Sequence, residues 1–346
     1  MTTAPDQTVA ALGEQALIDR IRTRAPTPPA WVAVGLGDDA AVVEPARNRA
    51  EVLTTDALVE GVHFDRAYVP ASAIGHKALA VNLSDLAAMG AEPRAALLSL
   101  VLPDAMRVAD FDALLDGWFA LAGRYAVTLV GGNISRSPGP LVVDVTAIGT
   151  VKPRRVLTRS GARPGDGIYV SGSVGAACAG RLARRSAAGS TTTGAGEGGP
   201  GGIAACEDRF LRPDPRIRLG VLLGRNRAAS ACVDLSDGLG DGVRQLAASG
   251  HVGAEIDAEA IPVPEAARRW FEDREGVDAI DAAVSGGEDY ELVFTVPARR
   301  RRAFAAVSSL TDVPCTRIGT VTADRRLVLT RRGVTSPLPG GFAHFR

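Results

Sequence analysis

Apolar and polar positions follow two different periods along the first half of the chain. Residues 7–24 repeat apolar side chains near a 3.6-residue period, which predicts an amphipathic helix that ends before Pro26. Longer periodic segments predict two more helices, over 72–89 and 107–124. Short apolar runs bounded by glycine, proline or charged residues predict strands between them. These strands are 31–34, 40–43, 50–54, 94–102, 126–130 and 141–151.

The second half alternates strand and helix patterns after a boundary at 152–155, and a new unit begins near Asp166. The predicted helices are 203–224, 238–249 and 299–310, and the strands are 230–234, 253–257, 290–296, 315–321 and 326–330. The glycine-rich segment 186–202 cannot bury a core, which predicts a mobile surface loop. We therefore predict an α/β fold with mixed, α+β-like sheets and two domains, 1–151 and 152–346.

Composition narrows the class of protein. The chain is 46% hydrophobic and 23% charged, which favours packed cores over disorder. Its 39 basic and 39 acidic residues cancel, so charge favours neither nucleic acid nor a membrane surface as a partner. No apolar run approaches the roughly 18 residues of a membrane span, and the four cysteines form no C-x-x-C pair. We expect a soluble, cytoplasmic protein.

The usual phosphate-binding motifs do not fit. The chain has only two lysines, Lys77 and Lys152, and neither follows a glycine, which excludes a Walker A loop. The segment GLGDDA at 35–40 matches G-x-G-x-x-A, but a strand pattern follows it where a dinucleotide site needs a helix. Two carboxylates in that turn would also repel a pyrophosphate. Any phosphate chemistry must therefore use metal ions, arginine and backbone amides.

Aspartates recur beside the predicted strands and helices, at Asp38, Asp39, Asp56, Asp85, Asp234 and Asp237. Each one alone is better explained as a helix cap or a turn residue. Two unit charges about 4 Å apart repel by roughly 4 kcal/mol at an effective dielectric near 20, so a cluster of them would recruit cations. Oxygen ligands without histidine or cysteine indicate Mg²⁺, with Mn²⁺ as the alternative ion.

Two of these positions carry a stronger argument. Asp234 ends a buried-strand pattern and Asp237 precedes a helix, which puts both at the carboxyl end of a strand, where α/β sheets bind ligands. Asp85 lies on a largely apolar helix, where an unpaired carboxylate is costly unless it is paired or bound to metal.

Six segments together resemble the thiamine-monophosphate kinases, a family of the aminoimidazole-ribonucleotide-synthetase-like ATP-binding superfamily. They are GDDAA at 37–41, TTDALVEGVHF at 54–64, KALAVNLSDLAAMG at 77–90, LTRSGA at 157–162, DLSDGL at 234–239 and SGGEDYEL at 285–292. The resemblance covers nearly the whole chain. It implies ATP-dependent phosphorylation of thiamine monophosphate to thiamine diphosphate.

The resemblance also implies roles for particular residues. Several Mg²⁺ ions are expected on the oxygen ligands Asp39, Thr54, Thr55, Asp56, Asp85, Asn133, Asp234 and Asp237. ATP is expected on a turn formed by Gly131 and Gly132, on Arg159 and on Ser236, and thiamine monophosphate on His63, Glu288 and Phe342. The family fold implies a homodimer formed through the sheet of the first domain, which binds metal and ATP. The second domain is expected to close over nucleotide and substrate.

Two positions depart from the family pattern. Asn133 stands where the family has aspartate, which removes one charge from the metal set, and Ala343 replaces an aspartate near the C-terminus. The acceptor phosphate monoester has a second pKa near 6 and is largely dianionic at neutral pH, so metal-assisted transfer needs no general base. Two alternatives stay open: another ATP-dependent synthetase of the superfamily, or a non-catalytic nucleotide-binding relative.

Overall fold

The computed structural model describes residues 6–189, 202–274 and 277–342. The chain divides into two compact units, one of Met1–Leu86 with Glu92–Lys152 and one of Ala87–Ala91 with Pro153–Arg346. Each unit combines helices with a mixed sheet, which confirms the predicted fold class. None of the described helices is long and apolar enough to cross a membrane.

The first unit contains a small hairpin and a four-stranded sheet of order β3-β6-β4-β5, in which only β4 and β5 run parallel. Its strands are β1 (Val32–Val34), β2 (Val42–Val43), β3 (Ala50–Val59), β4 (Glu92–Pro103), β5 (Thr128–Ser137) and β6 (Val142–Val151). Its helices are α1 (Val9–Leu12), α2 (Glu14–Arg24), α3 (Ala71–Ala88) and α4 (Val108–Arg124).

One face of this sheet is covered by helices and the other is open. Along β3, residues alternate between half-buried even positions and exposed odd positions as far as Ala57. The helices α3 and α4 cross closely, because Gly75 lies against the carbonyl of Leu114 and Gly117 against that of Ser72, where a Cβ atom would collide. The buried Trp118 lies on α4. The open side is called the outer face below.

The second unit contains a seven-stranded sheet of order β13-β12-β9-β11-β7-β10-β8 in which only β9 and β12 run parallel. Its strands are β7 (Gly167–Ser171), β8 (Ala231–Asp234), β9 (Gly253–Asp257), β10 (Leu292–Val296), β11 (Cys315–Thr322), β12 (Leu327–Arg331) and β13 (Val334–Pro337). Its helices are α5 (Ala176–Ala188), α6 (Ile203–Leu211), α7 (Ile217–Arg225), α8 (Leu239–Gly250), α9 (Glu265–Glu272), α10 (Ala279–Ser285) and α11 (Arg301–Ser308).

The strands β8 and β10 are buried along their whole length because both faces of the sheet are covered. Val243 of α8 packs in the core cluster on one face. On the other face Tyr169 and Phe294 stack at 5.9 Å, and Phe304 of α11 lies 4.7 Å from the Tyr169 ring. Strands buried on both faces appear in a sequence as continuous apolar runs, which is why these two were predictable.

Several predicted elements needed correction. The helix predicted over 7–24 is broken at Gly13, whose φ of 84° belongs to the left-handed region, and the helix predicted over 203–224 is α6 and α7. Pro213 and Pro215 separate those two, since proline cannot continue a helix. The loop predicted over 186–202 starts too early, because α5 continues to Ala188. Residues 190–201 of that loop lie outside the described residues, as does Ala343.

Candidate active site

Two of the predicted metal ligands meet on the covered side of the first sheet. The Thr54 hydroxyl of β3 donates a short hydrogen bond to Oδ2 of Asp85 on α3. Asp56 lies two residues further along β3 and therefore faces the same side as Thr54. This arrangement supplies a hydroxyl and two carboxylates at a half-buried position, all oxygen donors of the kind that Mg²⁺ prefers.

Thr55 faces the other side of the sheet, although it was predicted as a ligand together with Thr54. Its hydroxyl lies 3.1 Å from Oδ1 of Asp144 and 3.1 Å from the hydroxyl of Thr146, both on β6. Successive residues of a strand point to opposite faces, so Thr54 and Thr55 cannot serve one ion from the same side. Asp144 is a carboxylate that the sequence reasoning missed, and its alternation with apolar residues in the strand was the available signal.

Gly131, Gly132 and Asn133 were predicted to form a turn, and that prediction is wrong. All three lie inside β5 and pair with Leu97, Leu98 and Ser99 of β4. Glycine is needed at 132 because a Cβ atom there would collide with the carbonyl of Leu98. The strand conformation therefore comes from close pairing with β4, which outweighs the low strand propensity of glycine.

Asn133 lies on the outer face of β5 in register with Ser99 and thus with Asp144. Its Nδ2 donates to the Ser135 hydroxyl at 2.9 Å. Thr55 is on β3, three strand spacings from β5, which is about 14 Å. Within this unit, therefore, the structure does not bring Asn133 and Thr55 together around one ion.

Asp38 and Asp39 lie between the two strands of the β1–β2 hairpin, where Val34 pairs with Val42. Asp38 accepts a hydrogen bond from the Asp39 backbone N–H at 2.9 Å through Oδ1, so Asp38 stabilises the turn. The Asp39 side chain is exposed. Gly37 before them has a φ of 117° and lies against the Arg22 guanidinium. The turn thus leaves the Asp39 carboxylate exposed and without a role in the turn itself, and its role as a metal ligand stays a prediction.

His63 lies in the turn that follows β3. Its Nδ1 accepts the backbone N–H of Val59 at 3.0 Å. A neutral imidazole with an accepting Nδ1 carries its proton on Nε2, so that nitrogen is oriented as a donor. The half-buried ring is therefore held by the backbone in one tautomer, which suits recognition of a phosphate oxygen.

In the second unit the predicted residues gather at the carboxyl end of β8. Asp234 is the last residue of β8 and is 7% exposed. The Ser236 hydroxyl lies 3.4 Å from Oδ2 of Asp237, and Gly238 follows with a φ of 103° before α8 begins. This is the strand–turn–helix arrangement that the sequence predicted.

Two backbone hydrogen bonds bring distant residues to this turn. The N–H of Glu288 donates to the Ser236 carbonyl at 2.7 Å, and the N–H of Phe342 donates to the Asp237 carbonyl at 3.0 Å. The Phe342 side chain is 54% exposed. A hydroxyl, two carboxylates and an aromatic ring are thus held within one small region. The first and last of these residues, Ser236 and Phe342, are more than 100 positions apart in the sequence.

Arg159 lies in a loop beside the same strand. The carbonyl of the preceding Thr158 accepts the Cys232 N–H at 2.9 Å, so this loop pairs with the free edge of β8. The Arg159 side chain is exposed and supplies positive charge near the carboxyl end of the strand. Arginine at this place fits the absence of a phosphate-binding lysine motif.

Magnesium is implied by this set of donors, and the donors fit it in chemistry. Among residues 6–189, 202–274 and 277–342 there is no cluster of three or more His, Cys, Asp or Glu that could hold a metal. Mg²⁺ does not need one, because it usually keeps several waters and binds through one or two carboxylates together with substrate phosphates. The Thr54–Asp85 pair with Asp56, and Asp234 with Asp237, match that requirement in oxygen chemistry.

A family model for AIR synthase related protein, N-terminal domain, matches residues 37–151, and one for the C-terminal domain matches 163–332. The thiamine-monophosphate kinase of Escherichia coli (strain K12) is 39% identical over 343 residues, covering 97% of this chain and 99% of that protein.

Two solved structures are also similar. The thiamine-monophosphate kinase from Stenotrophomonas maltophilia K279a has a TM-score of 0.77 at 39% identity, covering 90% of this chain and 95% of that one. AaThiL complexed with AMPPCP and TMP has a TM-score of 0.74 at 33% identity, covering 99% of this chain and all (100%) of that one. Sequence and fold similarity therefore extend over both units.

Proposed function

This chain belongs to the thiamine-monophosphate kinase family, and we propose that it transfers the γ-phosphate of ATP directly to thiamine monophosphate, giving thiamine diphosphate and ADP. The observation that carries this proposal is the pair of backbone hydrogen bonds that join Glu288 to Ser236 and Phe342 to Asp237. They gather groups suited to a cationic, aromatic substrate beside groups suited to a nucleotide. The solved relative that binds both AMPPCP and TMP supports the same pair of substrates.

The substrate itself explains the choice of residues. Thiamine monophosphate combines a cationic ring with a phosphate monoester. The Glu288 carboxylate attracts the cation, and the exposed Phe342 ring offers a face for stacking on it. His63, with its proton on Nε2, donates to a phosphate oxygen.

The transfer step is electrostatic rather than acid–base. The acceptor phosphate is already dianionic at neutral pH, so no residue has to remove a proton. The task of the protein is to hold two anions in line and to stabilise charge on the transferred group. Arg159, Ser236 and the backbone at Gly131 and Gly132 are the groups that we assign to ATP.

Magnesium ions complete this assignment. In the first unit Asp39, Thr54, Asp56 and Asp85 would hold Mg²⁺, and in the second Asp234 and Asp237. Thr55 and Asn133, on the outer face, stay predicted ligands at two separate positions. Bound Mg²⁺, or Mn²⁺ in its place, would neutralise the phosphate oxygens and stabilise the charge that develops on them.

The direct test is product formation. Purified protein is mixed with ATP, Mg²⁺ and thiamine monophosphate, and the products are quantified by chromatography. Thiamine diphosphate and ADP should form in equal amounts. A folded protein that binds ATP and forms no product would contradict the proposal and favour a non-catalytic relative. ADP formation that requires a different second substrate would favour another synthetase of the superfamily.

We further propose that the protein is a cytoplasmic homodimer formed through the outer face of the first sheet. Apolar side chains on that face include Leu53, which is 65% exposed, Leu97, which is 37% exposed, and Ile148, which pairs directly with Leu53. An open sheet face that carries large apolar residues favours burial against a second copy of the same face.

A further inference from the structure

The segment that carries Glu288 has a strained backbone. Glu288 has a φ of 74° and Tyr290 a φ of 49°, both in the left-handed region. Non-glycine residues in this region cost on the order of 1–3 kcal/mol each, and they persist only where the surroundings hold them firmly. Something in the second unit must therefore hold this segment.

One side of the segment is bonded to the turn after β8. The N–H of Tyr290 donates to the Leu235 carbonyl at 3.0 Å, and the Leu235 N–H donates to the Glu291 carbonyl at 2.9 Å. Together with the bond from Glu288 to Ser236, these contacts fix the backbone of the segment. These backbone bonds do not set the direction of the Glu288 side chain, which depends on the contacts on the opposite side of the segment.

That other side begins with Asp289, which is 2% exposed. Its Oδ2 accepts the Gly175 N–H at 2.7 Å and its Oδ1 the Ala177 N–H at 3.1 Å, so it caps the start of α5. Burial raises the pKa of Asp289 to about 7, while these two N–H bonds favour its ionised form and oppose the rise.

The helix capped by Asp289 also supplies a partner for Glu288. Arg181 of α5 has its Nε 3.7 Å from Oε2 of Glu288. The same aspartate therefore connects the strained segment to the helix whose Arg181 contacts the Glu288 carboxylate. A shift in the start of α5 would move Arg181 relative to Glu288.

Glu291 anchors the end of the segment. It is fully buried (0% exposed) and accepts hydrogen bonds from Arg216, through Nε at 2.7 Å and through Nη2, and from Arg209 of α6. The hydroxyl of Ser171, the last residue of β7, donates to it as well. Two arginines around one buried carboxylate compensate its charge, and bidentate pairing fixes its orientation.

We propose that Asp289 and Glu291 are positioning residues, which hold Glu288 and Arg181 in the geometry that binds thiamine monophosphate. This proposal rests on the proposed function. Neither residue is among the groups assigned to the substrate. They act because their buried carboxylates, two residues apart, hold the two left-handed residues and the helix that faces Glu288.

The test is Asp289→Asn, which keeps the shape of the side chain but leaves one oxygen, so that only one of the Gly175 and Ala177 N–H groups can be accepted. We expect the KM for thiamine monophosphate to rise about tenfold, which corresponds to about 1.4 kcal/mol of binding. The KM for ATP should stay unchanged. The matched control is Glu207→Gln, which removes an ion pair at 3.2 Å between α6 and Arg184 of α5 without touching 286–291; it should change neither constant.

A double-mutant cycle with Glu288→Gln separates positioning from general loosening. If Asp289 acts through Glu288, Asp289→Asn should add little to the KM of the Glu288→Gln variant, whereas independent effects would add. An unchanged KM in folded Asp289→Asn, or a fully additive cycle, would overturn the proposal.

Binding of thiamine monophosphate, measured by calorimetry, distinguishes a failure of the positioning proposal from a failure of the proposed function. If the wild-type protein forms no product, the proposed function fails, and the binding constants of the same variants still decide the positioning proposal. If Asp289→Asn does not fold, Asp289→Ser retains an N-cap acceptor without the charge and serves for the same measurements.

Discussion

The two units hold their candidate residues in different ways. In the first unit these residues lie mostly on regular strands and one helix, and their side chains bond to each other, as Thr54 does to Asp85. In the second they lie largely in turns, where backbone bonds such as Glu288 to Ser236 hold them. A strand fixes the direction of a side chain by alternation, whereas a turn depends on buried groups around it. Activity should therefore be lost through different substitutions in the two units.

The largest effect is expected from Asp85→Asn in the first unit. The amide removes the charge but can still accept the Thr54 hydrogen bond through its oxygen, so the fold should be kept. Turnover should fall by about 100-fold, the order of effect seen when one charge-stabilising group is removed from an active site. Steady-state formation of thiamine diphosphate and thermal unfolding, measured together, check this.

The control for that variant is Asp116→Asn on α4, where the carboxylate is 65% exposed and pairs with Arg24. It should change turnover little, because exposed ion pairs contribute about 0–1 kcal/mol. Equal losses of activity and stability in Asp85→Asn would assign Asp85 a structural role. Asp85 would then act as the buried acids of the second unit do, by holding neighbouring residues in place.

The next effect concerns the outer face of the first sheet. Leu53→Glu places an unpaired charge in the proposed interface, and burying such a charge is costly enough to raise the dimer dissociation constant by at least about 100-fold. Sedimentation equilibrium should show a monomer at concentrations where the unsubstituted protein is a dimer. Val334→Glu, at a position in the second unit that is 71% exposed, is the matched control and should leave assembly unchanged. A Leu53→Glu protein that stays dimeric would exclude this face.

The same difference between the two units explains how much of the structure could be predicted from the sequence. Asp234 at the end of β8 was predictable because a strand buried on both faces is a continuous apolar run. The opposite faces of Thr54 and Thr55 could also have been predicted, since adjacent residues of a strand alternate. The strand at Gly131 and Gly132 could not, because its conformation depends on close pairing with β4, a contact between distant segments.

The turn geometry of the second unit was hidden for a related reason. The left-handed φ values of Glu288 and Tyr290 run against the local preference of both residues. They depend on partners that the sequence does not reveal, such as the start of α5 for Asp289 and Arg216 for Glu291. Motif resemblance identified Glu288, but only the fold gives a reason for the acids that follow it.

A smaller effect, on the pH dependence of stability, is expected from the buried acid of the second unit and distinguishes it from the exposed acids of the first. Asp289 has a pKa of about 7 in the fold against an ordinary value of 3.8. Between these values the folded protein holds a proton that the unfolded chain has released, so this group adds stability as the pH falls. Compared with Asp289→Asn, the unsubstituted protein should gain free energy of unfolding from pH 8 to pH 5. Denaturant titrations at several pH values measure it, and parallel curves for the two proteins would contradict it.

The smallest effect is expected at Asn133, the position where a charge is missing from the metal set. Asn133→Asp adds a carboxylate on the outer face of β5 and keeps the contact to Ser135, since the serine hydroxyl can donate where the amide donated before. β5 is an edge strand of the sheet, three strands away from Leu53 on β3, and its Asn133 side chain is exposed, so solvent screens the added charge and limits the gain. The Mg²⁺ concentration for half-maximal activity should fall about fivefold, which corresponds to about 1 kcal/mol. The control Ser135→Ala removes the contact between residues 133 and 135 without adding charge, and it should leave the Mg²⁺ requirement unchanged. If Asn133→Asp behaves like that control, this strand contributes no metal ligand, and the charged ligands of the first unit are confined to its covered side and its hairpin.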